Sequence, residues 1–145
     1  MNASALALFI PAAALALWTL TVLLLVPIAR FRAGVAGQVT FDDFKHGESP
    51  RVPAHVSVPN RVFMNLLEVP VLFYVACVMA VVAGQADDLL ITLAWGFTGL
   101  RVAHSLIYLS YNRVPHRLTV FALSNVVVAA MWVVLLVRLL HMPAA

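Results

Sequence analysis

The chain has 145 residues, of which 63% are hydrophobic and only 10% charged, with a formal net charge of +3 and a mean hydropathy of +0.99. A soluble domain normally carries about 25% charged residues. The composition therefore excludes an ordinary soluble fold and points to an integral membrane protein, with room for one bundle of spans and no second domain.

The first predicted span covers residues 3–29 and carries no charge until Arg30. It lacks the basic leading region of a secretory signal and is too long for a signal's apolar core, so it is expected to be a retained helix. A long loop, 30–59, follows, with Pro50, Pro53, Pro59 and the string FDDFKHGE. Loops of this length are usually functional or mobile, and this one is expected to fold back over one mouth of the bundle.

The second span, 60–82, opens with three polar residues, Arg61, Asn65 and Glu68. Their i, i+4, i+7 spacing puts them on one helix face. Pro70 predicts a kink that frees a backbone carbonyl. Cys77 is the only cysteine, which leaves no internal disulfide and no thiolate metal cluster. It sits mid-span among apolar neighbours and reads as a packing residue.

The third span, 88–110, carries Arg101, His104 and Tyr108 at i, i+3 and i+7, again on one face. The fourth, 117–140, is apolar apart from Arg117, Thr119, Ser124, Asn125 and Arg138. Each span exceeds the roughly 20 residues needed to cross a hydrocarbon core of about 30 Å. Transmembrane strands would alternate polar and apolar residues over about 10 positions, and no such alternation is present. The fold class is therefore all-α, a four-helix membrane bundle.

Basic residues set the orientation. Arg30, Arg32, Lys45, Arg51 and Arg61 lie in or beside the first loop, and Arg113 and Arg117 join spans three and four. The connection between spans two and three holds Asp87 and Asp88 and no basic residue. The positive-inside rule then predicts both basic loops in the cytoplasm and both termini outside it. Only Arg138 and His141 lie on the wrong side, and Arg138 is expected to snorkel to the interface. The basic residues are neither clustered on one face nor interleaved with stacking aromatics, so no nucleic-acid footprint is present.

The two polar strings match in depth. At 1.5 Å per residue, Glu68 lies about 10 Å from the cytoplasmic end, His104 about 12 Å and Arg101 about 16 Å. Tyr108 lies about 6 Å deep, level with Asn65. Ionisable groups within a span face a bundle interior or a water-filled cavity and mark function by default. Glu68 and Arg101 are the expected partners, because a lone buried charge is strongly disfavoured. Such a pair serves equally to fix helix register, and a single His104 is ordinarily a hydrogen-bonded packing residue. Tyr111, Trp18, Trp95 and Trp132 read as interfacial belt or packing residues. A haem bundle would need two histidines at similar depth on different helices, and only His104 lies well inside a span.

At these residues the chain resembles the MAPEG family, the membrane-associated proteins in eicosanoid and glutathione metabolism. The first matching block is Arg61-x-x-x-Asn65-x-x-Glu68-x-Pro70. The second is Arg101-Val102-x-His104-x-x-x-Tyr108, followed by Arg113-x-Pro115-x-Arg117. The second block is similar to the prostaglandin E synthase and microsomal glutathione transferase branch, and the chain looks like a bacterial member of it. The resemblance implies one MAPEG-like domain over 1–145, a homotrimer, and glutathione held between neighbouring subunits near the cytoplasmic face. It implies that Arg61, Asn65, Glu68, Arg101, His104, Tyr108 and Arg113 line the glutathione site, with Arg30 as a looser correspondence. It also implies that Arg117 stabilises the glutathione thiolate. No metal site is expected from the residues.

Three positions depart from that branch. Met64 stands where it has arginine, Leu118 where it has a serine proposed to act on the thiol, and Phe121 where it has tyrosine. General transferase or peroxidase chemistry needs only a bound thiolate and survives these changes better than prostaglandin synthesis. The expected function is a glutathione-dependent transferase or peroxidase acting on lipophilic electrophiles or lipid hydroperoxides. The competing expectation is a non-catalytic MAPEG-like protein that binds a lipid or a protein partner. The expected location is a bacterial inner membrane, in contact with its lipids.

Overall fold

The computed structural model describes residues 3–142. Its elements are α1 (Ala3–Val35), a 3-10 turn at Phe41–Phe44, α2 (Ala54–Leu67), α3 (Pro70–Val82), α4 (Asp88–Leu109) and α5 (Val114–Leu140). Four helical stretches are long and apolar enough to cross a membrane, the second being α2 and α3 taken together. Among the described residues there is no strand.

Helix α1 runs through Pro11 and Pro27 to Val35 instead of ending near residue 29, and closes only at Gly37. Gly37 takes a left-handed φ of +68°. Its amide donates to Gly34 O at 3.0 Å and the Gln38 amide donates to Ala33 O at 2.9 Å, the paired closure of a Schellman cap. Helix α3 ends the same way at Gly84, with φ +66° and Gln85 N to Ala80 O at 2.8 Å. Helix α4 closes on Asn112, whose φ of 46° is one that asparagine adopts more readily than most residues.

The kink expected at Pro70 is a full break. Proline has no amide hydrogen, and its ring clashes with the carbonyl four residues back. Helix α2 therefore stops at Leu67, and Glu68 and Val69 form a turn before α3 starts on Pro70. At the first helical position the missing N–H costs nothing.

Helix α1 packs against α2, α3 and α4, while α5 packs against α3 and α4. Every helix contributes to one apolar core: Leu8 and Leu15 from α1, Leu66 from α2, Phe73 and Cys77 from α3, Phe97 from α4 and Met131 from α5. Phe73 and Phe97 stack with centroids 4.6 Å apart, and Cys77 is the buried packing residue expected. Outward apolar residues such as Leu17, Leu24, Val75, Val126 and Val133 suit a solvent of lipid tails.

The first loop is partly ordered by its own small core of Ala33, Val39, Val52 and Val56, with Phe44 against it. Asp43 braces it, accepting from the Thr40 amide and hydroxyl, each at 2.9 Å, and from Arg51 at 3.0 Å. The Thr40 hydrogen bonds, aided by Arg51, hold the Asp43 carboxyl below the usual carboxylate range. At the opposite end of the bundle Arg138 does not reach outward alone. Its Nη2 donates to Asp87 Oδ2 at 2.7 Å and its Nη1 to Gln85 O at 3.1 Å. Asp87 also caps α4 by accepting from Leu90 N at 3.0 Å. The hydrogen bond from Arg138 is the main reason its carboxyl lies below the usual range.

Candidate functional site

Asn65 of α2, His104 and Tyr108 of α4, and Val114, Arg117, Leu118 and Phe121 of α5 line one cleft of about 230 Å³. Both polar strings thus contribute to one place. Asn65 and Tyr108, read from the sequence as level, line the same cleft.

Arg117 is the fixed cation of this cleft. Its guanidinium lies 4.0 Å from the centroid of the Tyr108 ring, within range for a cation–π contact. Its Nη1 donates to Asn112 Oδ1 at 2.8 Å. An arginine has five N–H donors, so this anchoring leaves others for an anion. Asn65 donates through Nδ2 to the Arg61 carbonyl at 2.8 Å, which leaves its Oδ1 as an acceptor. His104 is buried and sits between Tyr108 and Phe121, with ring centroids at 6.1 and 5.6 Å.

Arg101 lies behind the cleft and is fully buried. The expected Arg101–Glu68 ion pair does not form within the chain, whose described ion pairs are Arg30–Glu48, Arg51–Asp43 and Arg138–Asp87. The helix break leaves Glu68 exposed, while Arg101 points inward. The Arg101 guanidinium packs over Phe97 and Phe121, at 5.4 and 5.1 Å. All three of its nitrogens lack a hydrogen-bond partner among the described residues.

The remaining candidates lie outside the cleft lining. Arg61 and Glu68 are exposed along α2 and at its end. Arg113 is the exposed N-cap residue of α5. Arg30 pairs with Glu48 at 3.1 Å and lies 4.5 Å from the Phe44 ring centroid. Sequence reasoning missed Asn112 as the anchor of Arg117. The signal was available, since an asparagine between a helix end and Val114-Pro115 is a natural left-handed turn residue.

These features define a polytopic four-helix membrane protein with a cationic, partly aromatic site at one mouth of the bundle. The chain belongs to the MAPEG family, whose sequence profile matches residues 8–144. No match was found among curated proteins or among solved structures.

Proposed function

We propose that the protein is a glutathione-dependent transferase or peroxidase of the membrane, acting on lipophilic electrophiles or lipid hydroperoxides. The observation that carries this reading is Arg117, held on Tyr108 and Asn112 at the edge of a cleft shared with Asn65 and His104. A thiol with a pKa of about 8.5 is a weak nucleophile at neutral pH until a neighbouring cation lowers that value. Arg117 is the cation assigned to that task.

The donor set suits glutathione, which has two carboxylates, one amine and one thiol. Arginine forks bind carboxylates bidentately, so Arg61, with Arg113 and Arg30 more loosely, is assigned to the carboxylates. Exposed Glu68 is assigned to the amine, and the free oxygen of Asn65 to a peptide N–H. His104 and Tyr108 wall the site, and Arg101 supports it from behind. When bound, glutathione supplies the thiolate that attacks the electrophile.

A cleft of about 230 Å³ is below the roughly 300–1,000 Å³ of small-molecule sites. That supports a site completed by a neighbouring copy, and so the homotrimer. The basic mouth supports a cytoplasmic site with both termini on the other side, in a bacterial inner membrane.

A second reading keeps the scaffold without catalysis, as a binder of a lipid or a protein. It is favoured by Met64 and Leu118, both exposed and apolar, where a carboxylate contact and a hydroxyl would help.

The test is a glutathione titration of the detergent-purified protein, followed by ultraviolet thiolate absorbance. Saturable binding with a thiolate signal is the expected result. No binding at millimolar glutathione would replace the enzyme reading with the second one.

A further inference from the structure

Two buried polar groups stand without partners where α4 packs on α5. Arg101 is fully buried, and none of its Nε, Nη1 and Nη2 atoms has a hydrogen-bond partner among the described residues. Asn125 is half-buried, and its Oδ1 is buried without a partner. An arginine side chain only donates and an amide oxygen only accepts, so the two orphans are complementary in kind.

They are also level. The contacts of Tyr108 with Arg117 and of His104 with Phe121 fix the antiparallel register of the two helices. Three residues further along each helix, Arg101 comes level with Ser124 and Asn125. The Arg101 guanidinium packs over the Phe121 ring at 5.1 Å, and Asn125 follows Phe121 by one turn on the same helix face. The nearby hydroxyls turn their protons to backbone carbonyls. Ser105 donates to Arg101 O at 2.8 Å and Ser124 to Phe121 O at 2.7 Å.

A buried charge or amide without a partner is costly, most of all within a membrane span. One water that accepts from Arg101 and donates to Asn125 Oδ1 relieves both groups at once. Buried waters hold such places with two to four hydrogen bonds, and they bridge groups too far apart for a direct bond.

We propose that Asn125 is a positioning residue for Arg101, the two being joined through a bridging water into one buried polar unit. The unit holds the Arg101 charge behind the wall of the cleft that His104 and Phe121 form. There the charge adds to that of Arg117 and favours an anion in the cleft. This consequence rests on the glutathione reading, whereas the unit itself does not.

The test compares Arg101→Met, Asn125→Leu and the double variant of the full-length protein by thermal melting and oligomeric state. Removing one partner of a buried polar pair strands the other, whereas removing both leaves an apolar seam. Each single variant is therefore expected to melt below the parent, and the double variant above either single. An Arg101 with no coupling to Asn125 gives a rise in melting in Arg101→Met, or losses that add in the double variant, and either result overturns the proposal. Asn125→Asp keeps the question open to measurement if Arg101→Met does not assemble. Its carboxylate meets the Arg101 charge, so melting should equal or exceed that of the parent, and a drop overturns the proposal.

The second measurement is the pH dependence of the thiolate absorbance of bound glutathione. Arg117, His104 and Tyr108 are the other charged or titratable groups lining the cleft, and all three stay in every variant. Arg101→Met should move the midpoint up by on the order of half a pH unit. Asn125→Asp should move it the same way despite its intact melting, which a merely structural role would not do. Unmoved midpoints in both variants overturn the positioning role. No glutathione binding by the unmodified protein would sink the proposed function alone, and a double variant melting above either single would still uphold the unit.

Discussion

The Arg117 guanidinium lies 4.0 Å from the centroid of the Tyr108 ring. This contact joins the start of α5 to the last turns of α4. It places the site's cation at a defined height beside His104 and Asn65, where a flexible surface arginine would wander. Cation–π contacts of this kind contribute about 0.5–1 kcal/mol when exposed and more when water is excluded.

Arg117→Ala is expected to abolish the glutathione thiolate signal while leaving the assembly intact. Arg117→Lys should retain only part of it, because lysine keeps the charge but loses the planar stack and the fork. Ultraviolet titration and turnover with a lipophilic electrophile check both. Unchanged turnover in Arg117→Ala would remove Arg117 from the mechanism.

Asn112 has two separable tasks, a left-handed backbone and an acceptor for Arg117. Asn112→Gly keeps the first, since glycine adopts positive φ freely, and deletes the second. Its melting should stay within about 0.5 kcal/mol of the parent, while turnover falls several-fold. Asn112→Ala should lose turnover and also about 1 kcal/mol of stability from the strained backbone. Thermal melts beside rates separate the two effects.

Arg138→Ala should destabilise the bundle by about 1 kcal/mol, since it removes a half-exposed ion pair and a carbonyl hydrogen bond. The pH dependence has a definite sign. Asp87 has a lowered folded value, so its contribution is fully present above the ordinary carboxylate value of about 3.9. It is lost as pH falls through the folded value. Melting curves of parent and variant should differ most at neutral pH and draw closer in acid, where only the share of the Gln85 carbonyl bond remains. A gap of the same size at neutral and acid pH would mean that the pair is not its source.

Pro70→Ala lets α2 and α3 join into one helix. Stability should change by less than about 1 kcal/mol, because Pro70 already occupies a tolerated first position. Glu68 would be carried to a new angle, and glutathione affinity should fall about tenfold, or about 1.4 kcal/mol. Calorimetric titration reads the affinity, and a melt reads the stability. Unchanged affinity would release Glu68 from the site.

The parts of the site that were legible in the sequence are those set by helix periodicity and rise. Asn65, His104 and Tyr108 fall together because spacing fixes a face and residue count fixes a depth, whereas Arg117 was reached through the family resemblance. Glu68 and Arg101 were misjudged as a pair because periodicity assumes an unbroken helix, and the turn at Glu68–Val69 ends that assumption. Arg138 was read as a lone cation because its partner Asp87 is 51 residues away, beyond any local pattern. Arg30–Glu48 escaped for the same reason, across 18 residues of a loop that looked irregular.

The break at Glu68 also gives the second span two allegiances. Helix α2 packs on α1 and α4, whereas α3 packs on α1 and α5, and only two residues of turn join them. Cooperative opening follows packing partners more closely than chain continuity. Amide exchange along this span should therefore step at residue 68 instead of falling off smoothly. The half bearing Arg61 and Asn65 and the half bearing Phe73 would then open in separate steps. The second span thus behaves as two short units of stability in place of one long one.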